Sequence, residues 1–290
     1  MASTVTIVVS DRPHTKLLRS RTSIASSPTA FPSVSPIYRA FGRMARDQPY
    51  DVCEMAVGAF LQAREAGVPL LLLPAVVGGG FHHGSLVASP AAPPDGPGDL
   101  AHRKVGVRSY SQTTGLWVRA LLEVEHGVPP EDVTWVTTEG SHVPGYQDPP
   151  NTVRTSRSLR EELLSGAIAA AVPGRGEGDG LRTVVDDPHK AAQAWYGRHG
   201  VVPVNHLLVT TERLAAERPA LIREITALLA EGIDTTAAAR TARADAEGLP
   251  SGIVHGHEHV LPAVALAARY AVRQRLIPEL PEIPGLFVPA

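Results

Sequence analysis

The sequence predicts an α/β fold built on mainly parallel strands. Strand-like and helix-like segments alternate along the chain. Pro69–Val77 and Ala167–Val172 read as near-continuous apolar runs, the pattern of strands buried on both faces. Three polar clusters each follow directly on a strand-like run: Ser10–Thr15 after Val5–Val9, Phe81–Ser85 after Leu70–Val77, and Ser109–Thr114 after Lys104–Val107. Open α/β sheets bind ligands beyond the carboxyl ends of their strands, so histidines and hydroxyls repeated there predict one pocket fed by several loops.

Thr4–Val9 is β-branched and alternating, as a strand should be. Ile37–Arg46 reads as a helix, and Tyr50–Met55 as a short strand leading into a helix over Ala56–Ala66. Pro90–Gly98 holds too many breakers for regular structure and is a loop. Lys104–Val107 is a strand. Thr113–His126 is a helix, with apolar residues at Leu116, Trp117, Ala120, Leu121 and Val124. Val133–Thr137 follows as a strand and Ser158–Ser165 as a helix closed by Gly166. Gly174–Gly180 is a glycine-rich loop without the lysine of a P-loop, so phosphate binding is discounted there. Asp187–His199 is a helix, Val204–Thr210 a strand, and Pro219–Gly232 and Pro262–Arg275 are helices.

At 290 residues, 43% hydrophobic and 19% charged, the chain suits one large domain or two lobes. A net charge of −2 gives no electrostatic case for nucleic acid or an anionic membrane surface. Its single cysteine, Cys53, excludes an internal disulfide and reads as an inert core residue. The first residues carry no basic segment or long apolar stretch, and a cytoplasmic protein is expected. The longest apolar stretch, Val68–Val77, is broken by Pro69 and Pro74 and is too short to span a bilayer. No Gly-x-Ser-x-Gly nucleophile elbow is present. A homo-oligomer is compatible with all of this.

Five segments in order resemble the 4,5-dihydroxyphthalate decarboxylases and their relatives with the type II periplasmic-binding-protein fold. Val9–Thr15 resembles that family's first strand and loop, and Tyr50–Met55 its aromatic-Asp-Val-Ser-Glu-Met segment. Phe81–Ser85 is similar to its Phe-Arg-His-Ser-Ser. The run through Val105, Gln112-Thr113, Trp117, Arg119, Gly127 and Trp135 follows it closely, and Pro203–His206 sits where it carries Pro-x-x-His. The resemblance covers residues 4 to about 225. It implies two α/β lobes with a ligand cleft between them: residues 1–86 with 206–290, and residues 87–205. The crossovers would lie near Leu86–Ser89 and Val202–His206. The family's arginine before the paired histidine is His82 here, and its preceding-loop arginine is replaced by Gly78-Gly79-Gly80. Neither residue type grips a carboxylate bidentately, so a substrate other than dihydroxyphthalate is expected.

The candidate proton donors are His83, His14 and His206, imidazoles whose ordinary pKa near neutrality suits acid–base work. If the chain is extended at His82-His83, only one ring of the pair faces a ligand. Thr15, Glu54, His82, Ser85, Ser111, Gln112, Thr113, Thr114 and Asn205 are candidate substrate contacts. Structural readings stand beside these: a local turn for His14 and Thr15, helix capping for Glu54, and N-capping by Ser111 or Thr113. Arg119 reads as a surface or interlobe ion-pair residue. His255, His257 and His259 invite a metal reading, but HExxH is absent and a polar loop before the last helix is preferred, so no metal and no cofactor is expected. The expected function is a cofactor-independent lyase, a decarboxylase of a small hydroxylated aromatic or unsaturated carboxylic acid. A non-catalytic solute-binding protein of the same fold is the alternative.

Overall fold

The computed structural model describes residues 3–174, 178–241 and 248–289. It divides into unit 1, residues 1–80, 202–268 and 279–290, and unit 2, residues 81–201 and 269–278. The first break therefore falls six residues before the one expected at residue 86, and a late segment, Arg269–Pro278, returns to unit 2.

In chain order, unit 1 begins with strands β1 (Val5–Val8), β2 (Ser23–Ile24), β3 (Ser27–Ala30), β4 (Val52–Ala56) and β5 (Leu70–Gly79). Unit 2 contains β6 (Val87–Ala88), β7 (Lys104–Val107), β8 (Thr134–Thr137), β9 (Thr152–Arg154), β10 (Ala170–Val172) and β11 (Arg182–Thr183). The chain returns to unit 1 with β12 (Val204–Thr211). The helices are α1 (Lys16–Arg19), α2 (Tyr38–Arg46), α3 (Val57–Glu65), α4 (Thr113–His126), α5 (Leu159–Leu164), α6 (Pro188–His199), α7 (Glu212–Glu217), α8 (Pro219–Thr241) and α9 (His257–Arg273).

The unit 1 sheet has the order β2-β3-β1-β4-β12-β5. β1 runs parallel to β3 and β4, while β12 runs antiparallel to both β4 and β5. The apolar run of β5 predicts a central strand, yet β5 closes the sheet at one edge. Its outer side is covered instead: Val76 and Pro74 bond the backbone of Val254 and Gly256, and Val288 donates to the Leu72 carbonyl. A protected edge explains how an edge strand can be this apolar. The core gathers Val5, Ile7 and Val9 with Leu73, Ala75, Leu208 and the buried stripe Ile222, Ile225 and Leu229 of α8.

The unit 2 sheet has the order β11-β6-β10-β7-β8-β9, with β10, β7, β8 and β9 parallel and β6 antiparallel to β10 and β11. Leu159 and Leu163 of α5 pack with Val87, Val136, Ile168 and Ala171. Helix α4 matches its expected range, and Gly127 ends it in the left-handed region at φ 64°.

Some expectations need correction. α9 begins at His257, so Pro262 lies within it and His257–His259 form its first turn. His257 and His259 are therefore helical, while His255 stays in the segment before the helix, at an isolated bridge to Ala75. His255 bonds Asp234 at 2.9 Å, and His257 packs against the Phe287 ring. Among the described residues no group of three or more His, Cys, Asp or Glu is placed to hold a metal ion, and no helix is long and apolar enough to cross a membrane. Of the glycine-rich loop 174–180, residues 175–177 lie outside the described residues.

Candidate functional site

In unit 1 the first polar cluster builds a charged hub at the carboxyl end of β1. Glu54 lies on β4 opposite Leu208 of β12, while His206 pairs with Ala56, so the two side chains are diagonal neighbours on one face. His206 Nδ1 is 2.7 Å from Glu54 Oε1. The Ser10 backbone N–H and hydroxyl both donate to Glu54 Oε2, at 2.8 and 2.5 Å. Arg12 Nε donates to the Ser10 hydroxyl oxygen at 2.9 Å, and its Nη2 stands 3.9 Å from Glu54 Oε1.

Glu54 is fully buried. Burial by itself would raise its carboxyl, but the His206 bond and charge and the two Ser10 bonds outweigh that and hold it down at about 2. Ionised Glu54 fixes the Nδ1–H tautomer of His206, which turns Nε2 into the ring position that can accept or pass on a proton. The Phe41 ring packs edge-on against His206 at 5.2 Å. β12 departs from regular register on its β5 side between Val204 and Val209. Such irregularities recur where a strand presents a functional side chain.

Gly78 and Gly79, expected in a loop, end β5 instead, and glycine is required there. A Cβ on Gly79 would stand 2.6 Å from the Gly252 carbonyl oxygen and 2.9 Å from that of Pro203. A Cβ on Gly78 would stand 3.7 Å from Arg12 Nη2. A guanidinium from another strand end therefore lies beside the glycines that end β5.

His14 and Thr15 take local structural roles. His14 Nε2 bonds the Val77 carbonyl at 3.0 Å, and burial lowers its pKa. The Thr15 hydroxyl donates to the Ser10 carbonyl at 2.7 Å and accepts from the Arg12 N–H at 2.9 Å, closing the turn. Asn205 is half-buried next to His206. Glu54 caps no helix: α3 has no side-chain cap, and the carboxylate is committed to Ser10 and His206.

In unit 2 the Phe81–Ser85 cluster is not extended. His83–Ser85 is a 3-10 turn in which His82 Nδ1 lies 3.2 Å from the Ser85 hydroxyl. The alternation argument for His82 and His83 therefore lapses. His83 is 2% exposed and packs against Trp195 and Phe81. Its Nε2 stands 3.3 Å from Glu125 Oε2 without the alignment of a hydrogen bond, and neither ring nitrogen has a hydrogen-bond partner. Burial first, then the nearby charges of His82, His126 and Arg198, hold its pKa down at about 4. At pH 7 the ring is therefore neutral and lacks the imidazolium's acidic proton.

The Ser109–Thr114 cluster forms the strand-to-helix turn from β7 into α4. Ser109 and Ser111 share a hydroxyl–hydroxyl bond of 3.0 Å, and the Gln112 amide oxygen accepts from the Arg108 N–H at 3.2 Å. Gln112 is the N-cap residue but makes no side-chain cap bond, so neither Ser111 nor Thr113 is the cap. Thr113 is buried and Thr114 half-buried in the first turn. Arg108, at the strand end, bonds Glu139 at 2.7 Å.

Sequence reasoning missed the arginines. Arg12 and Arg108 each directly follow or closely trail a strand and stand inside or beside the quoted clusters, a position that was itself the available signal. Arg119 is no surface residue: it is fully buried.

The fold is that of the type II periplasmic-binding proteins. The alkanesulfonate-binding protein SsuA from Xanthomonas axonopodis pv. citri, bound to MOPS, matches with a TM-score of 0.64 at 14% identity, over 98% of this chain and 97% of that one. The desulfurization enzyme DszB, in complex with biphenyl-2-sulfinic acid, matches with a TM-score of 0.59 at 17% identity, over 100% and 97%. In sequence, the chain is distantly homologous to the 4,5-dihydroxyphthalate decarboxylase of Comamonas testosteroni, at 30% identity over 201 residues. That alignment takes in 62% of this chain and spans 59% of the relative. No protein-family model matches the chain.

Proposed function

We propose that this chain is a cofactor-independent decarboxylase-like lyase acting on a small hydroxylated aromatic or unsaturated carboxylic acid. The observation that carries the reading is the Glu54–His206 pair at 2.7 Å, braced by Ser10 and flanked by Arg12. Distant homology to a decarboxylase supports the reaction class. In unit 1, His206 rather than His83 or His14 delivers a proton, and Arg12 offers a guanidinium to a carboxylate. In unit 2, the N-terminus of α4 favours a carboxylate through its oriented N–H groups.

The chemistry balances on these groups. Nε2 of protonated His206 gives its proton to the carbon bearing the carboxylate, with electron density supplied by the substrate hydroxyl. The carbon–carboxylate bond then breaks, carbon dioxide leaves, and the bonding pair returns to the ring or double bond. His206 regains its proton from water, with Glu54 stabilising the imidazolium.

Carbon dioxide release from a panel of hydroxybenzoic and phthalic acids tests the reading. His206→Asn is expected to lower turnover by about 10²- to 10⁴-fold. His83→Phe is expected to leave most of it wherever the variant stays folded. Tight binding of an acid by the wild type with no carbon dioxide released would instead identify a solute-binding protein.

A further inference from the structure

Among the described residues, unit 2 encloses a positive charge with no carboxylate in ion-pair contact. Arg119 of α4 is fully buried. Its Nε donates to Gln274 Oε1 and its Nη2 to the Tyr110 carbonyl, each at 2.7 Å, and both acceptors are neutral. The guanidinium carbon lies 4.0 Å from the Tyr110 ring centroid and 5.3 Å from that of Trp135. Nη1 has no hydrogen-bond partner. Tyr110, Tyr146 and Asp148 act on it electrostatically, and Asp148, whose Oδ1 is buried without a hydrogen-bond partner, is the one carboxylate among them. A buried ion is ordinarily paired, so an unpaired one needs a reason.

Its location supplies one. Nη1 stands 3.2 Å from where a Cβ on Gly115 would be, and Gly115 is the third residue of α4. The guanidinium therefore lies against the first turn of a 14-residue helix, where peptide dipoles already concentrate positive potential. Through the Tyr110 carbonyl, Arg119 also ties down the Ser109–Gln112 turn that leads into that terminus. Gln274 reaches back with Nε2 to the Leu116 carbonyl at 2.9 Å, locking the arrangement from the far end of the chain.

We infer that the N-terminus of α4 is a carboxylate subsite whose positive potential is supplied from beneath by Arg119, the bound anion adding to the partial balance that Asp148 gives. Arg119 is thus a positioning and electrostatic residue that does not itself touch the ligand. The inference rests on the reading of this terminus as a carboxylate holder given under Proposed function.

Calorimetric titration of phthalate into the full-length protein tests it, with thermal unfolding run on every variant. Thr114→Glu, which puts a carboxylate into the first turn, is expected to abolish binding. Arg119→Met is expected to weaken it about tenfold or more, and Arg119→Lys, which keeps the charge without the fork, to recover most of that loss. Gln274→Glu, near-isosteric, gives Arg119 a carboxylate partner in exchange for the bond to the Leu116 carbonyl, and is expected to weaken binding about tenfold while the protein stays folded. This variant keeps the question decidable if Arg119→Met does not fold. No phthalate binding by the wild type, or binding indifferent to Thr114→Glu, overturns the subsite itself. Binding lost in Thr114→Glu but kept in Arg119→Met and Gln274→Glu overturns the role of Arg119 alone.

Discussion

Glu54 shows how a buried acid becomes an asset. Burial costs the ionised form several kcal/mol, and only dense hydrogen bonding reverses the balance. With its carboxyl held from 4.5 down to about 2, Glu54 contributes stability of about 3 kcal/mol. The folded form holds its proton less tightly than the unfolded chain does. The contribution is therefore complete above about pH 4.5 and disappears as pH falls toward 2. Glu54→Gln keeps the shape and removes the charge. Urea unfolding at pH 7 should find it weaker by about 3 kcal/mol, with the gap to the wild type shrinking at pH 3. A gap of the same size at both pH values would remove the charge from the explanation. Arg119 teaches the complementary lesson. Its charge suggested a surface position, but its partners Tyr110 and Gln274 lie 9 and 155 positions away, and the latter contact leaves no trace in local sequence pattern.

Among the secondary-structure elements, legibility followed local signals. α4 was read to its ends because a polar turn precedes it and a left-handed glycine, Gly127, follows it. β2, β3, β9 and β11 were missed, being two to four residues long and largely polar, with nothing for a periodicity to act on. The start of α9 was placed five residues late because Pro262 reads as a first-turn residue and instead sits inside the helix. In the candidate site, the hub residues Glu54 and His206 were legible, whereas the burial of His83 depends on Trp195, which is distant in sequence. Short helices depend most on their caps. α5 has six residues, and its Ser158 hydroxyl accepts from the Glu161 N–H while the Glu161 carboxylate accepts from the Ser158 N–H. Ser158→Ala should cost about 1 kcal/mol in chemical denaturation. A cost near zero would mean that packing of Leu159 and Leu163 alone sustains the helix.

For the whole molecule, chain order and spatial order disagree. Unit 2 needs residues 269–278: Tyr270 packs on Trp117, Arg273 bonds Glu123 and Glu131, and Gln274 receives Arg119. A protein ending at Ala268 retains residues 81–201 intact but is expected to lose the near-ultraviolet circular dichroism of Trp117 and Trp135. A native-like signal from that truncated protein would show that the late segment is dispensable to unit 2.

That threading has a consequence for biosynthesis. A nascent polypeptide stalled before residue 269 still lacks residues 269–278 of unit 2 and 279–290 of unit 1. Interrupted translation would therefore release two incomplete bodies together, presenting unfinished surfaces to chaperones and proteases alike.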